Sequence, residues 1–169
     1  MHPLVRLAKQ AVELYVREGS VVTYTGEVSG GMLEKAGVFV CLKKNGRLRG
    51  CVGTIQPVTS CAALEAVRNA IAAATEDPRF PPVGPHELEE IDYQVDVLLP
   101  PEKITGTSEL DPRRYGLIIV KGARKGLLLP DLEGVDSVEE QFRIAMAKAG
   151  IDPSERGMDM YRFEVARYS

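Results

Sequence analysis

The sequence predicts an α+β fold with a largely antiparallel sheet. Two observations support this prediction: pairs of short strands separated by a turn occur twice, and a segment with helical periodicity follows each pair. This order differs from the regular strand–helix alternation of a parallel sheet. The chain has 169 residues, which suits one domain of ordinary size. We expect a single domain over residues 1–169, with lobes 1–84 and 85–169 divided near the proline-rich segment 78–85.

Periodicity and turn signals define the elements of the first half. Apolar residues at helical spacing predict helices, and short apolar runs between turn residues predict strands. The two strands form a hairpin because Asn45-Gly46 between them suits a type I′ turn, in which both central residues have positive φ. In chain order we expect a helix over residues 4–18 ended by Gly19, a mobile glycine-rich loop over 20–36, strands over 37–42 and 48–54, and a helix from Thr59 or Ser60 to Asp77-Pro78.

The second half shows the same order of signals. Ser137 with Glu140 three residues later forms a capping box, which predicts the start of its helix. We expect an alternating strand over 93–99, a hairpin of 117–120 and 126–129 joined by loop 121–125, a helix from Val138 that stops at Gly150, and a last strand over 161–165. Because a hairpin followed by a helix occurs in both halves, we expect an internal duplication, although the residues do not visibly repeat.

Composition and charge restrict the class of protein. Hydrophobic residues make up 44% of the chain, and the net charge of −3 disfavours broad, nonspecific binding of nucleic acids. Apolar runs stay far below the ~18 residues of a membrane span, and the amino end lacks the apolar core of a secretory signal. Three cysteines without a CxxC spacing argue against a disulfide framework. We therefore expect a cytoplasmic protein that does not enter membranes.

The segment 45–54 contains the densest chemistry of the chain, with two arginines, one thiol and two glycines beside the turn. A two-residue turn pairs Val40 with Cys51, and Cys41 with Gly50. Opposed residues share a face of a hairpin, whereas neighbours along a strand do not. This register puts Cys51 on the face of Arg49 and Cys41 on the other face, so it excludes a disulfide between them. A slip of one residue would reverse that conclusion.

Cys51 is the candidate catalytic residue of this segment. A nearby arginine such as Arg49 favours the thiolate, which is the nucleophilic form of cysteine. Gly50 and Gly53 leave room for a ligand, so these glycines and Arg49 are candidate ligand-binding residues. The structural alternative is that Cys51 fills a gap in the core as a small apolar residue.

Charged residues supply further candidates. Asp77 and Arg79 flank Pro78, where they form an ion pair at the helix exit or, in the functional alternative, Arg79 binds an anion. His86 is a candidate general base or metal ligand, and the alternative is a surface histidine. Two basic clusters suit an anionic ligand or an RNA backbone, or simply protect exposed strand edges. These clusters are Lys43, Lys44, Arg47 and Arg49, and Arg113, Arg114, Lys121, Arg124 and Lys125.

Other familiar sites have no counterpart in the sequence. No spacing supplies the three or four protein ligands of a zinc site. There is neither a glycine-rich phosphate loop nor a serine nucleophile elbow. We therefore expect neither a metal nor a cofactor.

Residues 48–54, Leu-Arg-Gly-Cys-Val-Gly-Thr, closely resemble the LRGCIG signature of the AMMECR domain family. Further stretches agree in order, namely residues 77–83, 115–120, 126–130 and 148–151. The resemblance implies a fold in which two related strand-and-helix repeats share one curved, barrel-like sheet. It also implies a Memo-type protein and a radical SAM protein as partners, and it implies no reaction. Tyr115 departs from the family pattern, where histidine is frequent.

Carried over by position, the resemblance marks Arg49, Gly50, Cys51 and Gly53 from the signature, and Asp77 and Arg79 from a second motif. Three hypotheses follow. The first is an enzyme that uses the Cys51 thiol on a small anionic substrate. The second is a non-catalytic adaptor or regulator that binds the Memo-type and radical SAM partners. The third is an RNA- or nucleotide-binding module that uses the basic hairpins.

Overall fold

The computed structural model describes residues 1–24 and 30–169, so part of the predicted mobile loop lies outside the described residues. The chain packs as two compact units, Met1–Leu98 with Ala166–Ser169, and Leu99–Val165. This division differs from the lobes 1–84 and 85–169 that the sequence suggested. The physical reason is strand pairing, because the strand after the proline-rich segment pairs with a strand of the first hairpin.

The predicted helices and strands are present with shifts at their ends, with one exception. The predicted last strand over 161–165 is wrong, because Asp159–Phe163 and Val165–Tyr168 are separate strands that pair in different sheets. The short strand Glu102–Ile104 was not predicted. The helices are α1 (Pro3–Glu18), α2 (Ala62–Thr75) and α3 (Val138–Ala149). The strands are β1 (Val38–Lys44), β2 (Arg47–Gly53), β3 (Ile91–Leu98), β4 (Glu102–Ile104), β5 (Gly116–Lys121), β6 (Arg124–Leu128), β7 (Asp159–Phe163) and β8 (Val165–Tyr168). Short 3₁₀ turns cover Gly30–Leu33, Pro85–Glu90 and Thr107–Glu109. None of the helices in the described ranges has the length and apolar composition needed to cross a bilayer.

The start of α2 differs from the prediction. The sequence placed the helix cap at Thr59 or Ser60, but α2 begins at Ala62 and Cys61 occupies the cap position without a side-chain hydrogen bond. The Thr59 hydroxyl instead donates to the carboxylate of Glu65, one turn into the helix. Thr59 therefore binds Glu65 from the loop before the helix instead of capping the first turn.

The strands form two four-stranded sheets, in the orders β2-β1-β3-β8 and β4-β7-β5-β6. The strand pairs with a described register are antiparallel, which confirms the predicted mixed fold. The expectation of one shared, barrel-like sheet is wrong. Each hairpin instead finds its next hydrogen-bonding partner in the strand that follows its own helix, β3 for the first and β7 for the second.

The core of the first unit lies between its sheet and the helices α1 and α2. Val38, Val40 and Leu42 alternate along β1 and are fully buried on one face. Alanine dominates the buried positions of α2, so this helix approaches the sheet closely. The strand β1 is therefore held in place on its helix-facing side, while its other face presents Phe39, Cys41 and Lys43.

Candidate functional site

A β-bulge in the first hairpin sets the geometry of the signature segment. Next to the turn, Lys44 pairs with Arg47 and Lys43 with Leu48, as the two-residue turn predicts. The register then shifts by one, so that Leu42 pairs with Gly50 and Arg49 becomes the additional residue of β2. Every later pair in the hairpin is displaced from the predicted register.

The shift brings Cys41 directly opposite Cys51, and the two form a disulfide with a Cα–Cα distance of 4.1 Å. The prediction that they face opposite sides of the hairpin is wrong, because it assumed a hairpin without a bulge. The Cys51 N–H points away from β1 and donates to Asp77 Oδ2 at 2.9 Å. The cysteines therefore occupy a non-hydrogen-bonded pair, the type of antiparallel pair in which the side chains lie closest.

The two cysteines of the disulfide differ in exposure to solvent. Cys41 is 9% exposed, whereas Cys51 is half-buried at the outer strand of its sheet. Gln94 of β3 lies opposite Cys41 and shares its face. Cys51 is therefore the member of the pair that a molecule in solution reaches more easily. The third cysteine, Cys61, is free and buried.

Asp77 fixes the position of Cys51 from the end of α2. Its side chain is 3% exposed and accepts from the Cys51 N–H and from the Arg79 guanidinium, whose Nε and Nη2 donate at 3.0 and 2.7 Å. These hydrogen bonds, above all those from Arg79, hold the pKa of the Asp77 carboxyl far below its usual range despite burial. Asp77 also covers the open edge of β2 at this point.

Arg49 and Arg79 have different roles in the structure. The Arg49 side chain is 12% exposed, and it donates to both Glu87 oxygens at 3.0 and 2.9 Å and to the backbone oxygens of Pro81 and Pro82. The Arg79 side chain is 55% exposed and pairs with Asp77. Arg49 therefore ties the bulge to the segment after α2, whereas Arg79 presents positive charge to solvent next to Asp77.

Glu87, the neighbour of the candidate base His86, is a site residue that the sequence did not single out. Its carboxylate binds Arg49, Lys44 and the Gly84 N–H. The Arg49 hydrogen bond is the largest cause that lowers the pKa of Glu87 to about 2. Glu87 stands three residues after Gly84 in a proline-initiated turn, where a glutamate side chain can reach back to the N–H that precedes the turn. His86 itself is exposed.

The two signature glycines are required by close packing. A Cβ at Gly50 would overlap the backbone oxygen of Ala73 in α2, and a Cβ at Gly53 would overlap the Phe39 ring. Gly50 therefore lets the helix lie against the hairpin. The room that the sequence analysis assigned to a ligand is occupied by the protein itself at both positions.

A buried polar network lies beside the hairpin and was not predicted. Glu65 is completely buried and accepts from the hydroxyls of Thr54 and Thr59 at 2.6 and 2.5 Å and from the backbone N–H groups of Val58 and Thr59. Burial alone would raise the pKa of Glu65, but these hydrogen bonds outweigh it and lower the pKa. The available signal was a single acidic residue within the otherwise apolar stretch 62–67 of α2.

Most of the predicted basic residues pair with carboxylates. Lys44 contacts Glu87 and Glu90, and Lys121 and Arg124 contact Glu155. Arg113 pairs with Asp131 and Asp136, and Arg114 with Glu164. Within residues 1–24 and 30–169, no cluster of three histidine, cysteine or acidic side chains is arranged to hold a metal ion.

Comparison with known proteins identifies the family. The sequence profile of the AMMECR1 family matches residues 5–168, almost the whole chain. The chain belongs to the AMMECR1 family. This confirms the resemblance found in residues 48–54 and in the further stretches of the sequence. A relative from Thermotoga maritima is 54% identical over 169 residues, covering 99% of this chain and 97% of the relative.

Two further relatives of this AMMECR1-family chain are informative. A protein of Clostridium acetobutylicum is 49% identical over 98% of this chain, which spans only 36% of that relative. The crystal structure of an uncharacterised protein from Pyrococcus horikoshii superposes with a TM-score of 0.90 at 34% identity, covering 97% of this chain and 88% of the other. The fold is therefore shared with a solved structure, and none of these relatives carries a stated activity.

Proposed function

We propose that this AMMECR1-family chain carries out thiol–disulfide exchange through Cys41 and Cys51 with a small anionic thiol as substrate. The observation that supports this most strongly is the directly opposed cysteine pair with its unequal exposure. The proposal specifies the thiol-dependent chemistry expected from the signature. It also gives Cys41, which the family resemblance did not mark, an active role.

The exchange step follows from which sulfur is accessible. A substrate thiolate attacks the Cys51 Sγ, the Cys41–Cys51 bond breaks, and Cys41 leaves as a thiolate while a mixed disulfide forms at Cys51. A second substrate thiolate then attacks the substrate sulfur of that mixed disulfide and releases Cys51 as a thiolate. Two thiols are thereby oxidised to one disulfide, and the protein disulfide is reduced to two thiols.

Arg79 is the residue that favours an anionic substrate. Its exposed guanidinium shares the Asp77 carboxylate with the Cys51 N–H, so its charge lies close to the attacked residue. A planar guanidinium binds carboxylate and phosphate groups well. The attacking molecule is therefore a thiol that also contains one of these groups.

A cytoplasmic location, which we also propose, fits this activity. Thiols are kept reduced in the cytoplasm, and disulfides that do form there are typically transient and catalytic or redox-sensing. A cysteine pair in which one member, Cys51, is partly exposed is in such a protein better suited to exchange than to permanent cross-linking.

Peptide mapping of the oxidised protein tests the proposed step. We expect mercaptoacetate, quenched early with acid, to form its mixed disulfide on Cys51 and little on Cys41. Arg79→Gln should slow the reaction with mercaptoacetate roughly threefold or more, and should slow that with 2-mercaptoethanol clearly less, because its reacting thiolate lacks the carboxylate. Arg143→Gln is the matched control, because Arg143 is 64% exposed, pairs with one carboxylate and lies in the other compact unit.

Two outcomes would overturn the proposal. One is an air-oxidised protein that still contains two free thiols at positions 41 and 51. The other is a mixed disulfide found mainly on Cys41, which would contradict the assignment of Cys51 as the attacked sulfur.

We propose an adaptor role as the second candidate, in which the chain binds Memo-type and radical SAM proteins. The observation that favours it is the length of the Clostridium acetobutylicum relative, of which this chain spans 36%, so the domain also occurs joined to further chain. Co-purification with a Memo-type protein that survives Cys51→Ser supports the adaptor role, and failure of both partners to co-purify contradicts it. The RNA-binding hypothesis loses support because the basic hairpins are largely neutralised by carboxylates.

We also infer an internal duplication. Both hairpins are followed by a helix and then by a strand that pairs with the first strand of the hairpin. This common plan supports the inference without requiring visible sequence similarity between the halves.

A further inference from the structure

The second compact unit contains a pocket that lies outside the proposed exchange site. Its cavity volume is ≈ 370 Å³, and its lining includes Leu99, Pro100, Arg114, Tyr115, Arg162 and Phe163. This volume falls at the small end of the range for ligand pockets, about 300–1,000 Å³. The pocket is therefore suited to a single ring with one substituent.

Two guanidinium groups surround one aromatic ring in this pocket. The guanidinium carbon of Arg162 lies 4.3 Å from the centre of the Tyr115 ring, and that of Arg114 lies 4.8 Å from it. Guanidinium planes pack favourably on aromatic faces. A planar ligand entering the pocket therefore meets two guanidinium groups beside an aromatic ring and the apolar surfaces of Leu99, Pro100 and Phe163.

The arginines retain hydrogen-bonding capacity toward the pocket. Arg114 donates from Nε to Glu164 at 2.8 Å, and its side chain is 64% exposed. Among the described residues, the two terminal nitrogens of Arg114 have no hydrogen-bond partner. Arg162 uses Nε for Glu102 and Nη1 for the backbone oxygen of Glu109. Arg114 can therefore take an acid group through its terminal nitrogens while it keeps Glu164.

The lining also limits which anions bind. Glu102 and Glu164 offset the charges of Arg162 and Arg114, so the pocket has little net attraction for an anion without other contacts. Binding needs a second contribution, which the aromatic and apolar surfaces provide. A bare inorganic anion lacks that contribution.

The tyrosine is held in place from the buried side. The Gln141 side chain of α3, which is fully buried, donates from Nε2 to the Tyr115 backbone oxygen at 2.7 Å. This contact fixes the start of β5 and therefore the ring that the arginines pack on. The backbone that carries the aromatic wall of the pocket is therefore held in place by the helix behind it.

We propose that this pocket binds a small aromatic acid, with its ring against the Tyr115 and arginine planes and its acid group on the terminal nitrogens of Arg114. The acid group is a carboxylate or a phosphate, both of which match the guanidinium fork. This binding site is independent of the cysteine pair and goes beyond the exchange activity proposed above.

Titration of the ¹⁵N-labelled full chain by NMR tests the proposal with benzoate, phenyl phosphate and cyclohexanecarboxylate. We expect both aromatic acids to shift the amide signals of residues 114–116 and 162–164, and to bind at least about fivefold more tightly than the saturated ring. The tighter of the two identifies the acid group. Inorganic phosphate should bind more weakly than phenyl phosphate.

Variants separate the pocket from general charge effects. Arg114→Ala should weaken binding of the better aromatic acid about tenfold, the loss expected for a charge-assisted contact. Arg143→Ala, which also removes a 64% exposed arginine paired with one glutamate, should leave affinity unchanged. Equal binding of all probes, shifts confined to other residues, or equal losses in the two variants would each overturn the proposal. None of these outcomes depends on the reactivity of Cys51.

Discussion

Two hairpin motifs in this molecule follow the same backbone plan. The first comprises β1, β2, α2 and β3, and the second comprises β5, β6, α3 and β7. In each, a two-residue turn joins the hairpin, and the first hairpin strand also pairs with the strand after the helix. Leu42 opposite Gly50 in the first motif corresponds to Ile119 opposite Gly126 in the second.

The motifs differ at the bulge and at the pair that follows it. Arg49 is an additional residue in the first hairpin, with no counterpart in the continuous register of the second. The next pair is Cys41 with Cys51 in the first motif and Ile118 with Leu127 in the second. The second motif has no bulge, arginine or cysteine pair at these positions, so these features are specific to the first motif.

The shared glycines provide the largest expected effect. A Cβ at Gly50 would overlap the Ala73 backbone oxygen, and a Cβ at Gly126 would overlap the Ala145 backbone oxygen. Backbone atoms of a packed helix cannot move aside as a side chain can. We expect Gly50→Ala and Gly126→Ala each to lower the free energy of unfolding by about 3–4 kcal/mol, measured by urea denaturation.

Gly106→Ala is the control for this pair of variants. A Cβ there would meet only the Ser108 hydroxyl at 3.9 Å, so we expect a change within about 0.5 kcal/mol. If Gly126→Ala left the free energy of unfolding unchanged while Gly50→Ala lowered it, the helices of the two motifs would not pack on their hairpins in the same way.

The same two motifs show what the sequence could and could not predict. Asn45 and Gly46 both have positive φ, at 51° and 75°, as the turn signal required. The bulge at Arg49 was not predictable, because it depends on the hydrogen bonds of that side chain with Glu87 and with two backbone oxygens far along the chain. The bulge thus accompanies long-range contacts of one arginine, and the shifted register places Cys41 opposite Cys51.

The second expected effect concerns the arginine that anchors each hairpin. Arg49→Met removes the main partner of Glu87, whose side chain is 12% exposed, and leaves this largely buried carboxylate with only Lys44 and the Gly84 N–H. We expect a loss of about 2–3 kcal/mol in the free energy of unfolding. Arg124→Met removes a 41% exposed partner of Glu155 and should cost much less. The double variant Arg49→Met/Glu87→Gln should recover part of the loss, and additive losses would contradict the pairing.

The third expected effect is a dependence of stability on pH that arises from Glu87 in the first motif. The folded-state pKa of Glu87 is lowered from 4.5 to about 2, so its ionised form stabilises the native state above pH 4.5. This stabilisation is lost as the pH falls from 4.5 toward 2. With allowance for screening by solvent, we expect a contribution of about 2 kcal/mol.

Denaturation of the wild type and Glu87→Gln between pH 2 and pH 6 measures this contribution. The difference in unfolding free energy should be largest at pH 6 and should vanish near pH 2. The pKa of Glu155 is also lowered to about 2, but its side chain is 28% exposed and pairs with a 41% exposed arginine. We therefore expect Glu155→Gln to show a smaller difference that 1 M salt largely removes. If the pH dependence of the unfolding free energy were the same for both variants and insensitive to salt, Glu87 and Glu155 would not differ in their contribution to stability.

The smallest expected effect on stability concerns Asn69 and Gln141, whose side-chain amides bind the backbone where each hairpin begins. Val38 and Tyr115 occupy equivalent positions, six residues before Lys44 and Lys121, and each has its backbone oxygen bound by an amide from the helix, Asn69 at 2.8 Å and Gln141 at 2.7 Å. Asn69 also donates to Thr54 and accepts from Arg68, so both ends of its amide are satisfied. In the described part of the chain, the Gln141 Oε1 atom is buried without a partner.

Because only the Asn69 amide has partners at both ends, replacing the two side chains should change the free energy of unfolding by different amounts. Asn69→Ala removes three hydrogen bonds and leaves the Val38 backbone oxygen with the Thr54 N–H as its remaining donor, for an expected loss of about 2 kcal/mol. Gln141→Met keeps the length of the side chain and also removes an unpaired buried oxygen, so the loss of one hydrogen bond is partly offset and the change should stay within about 1 kcal/mol. Urea denaturation of both variants measures the difference. A loss for Gln141→Met as large as that for Asn69→Ala would show that Oε1 is satisfied in solution and that the two caps are energetically alike.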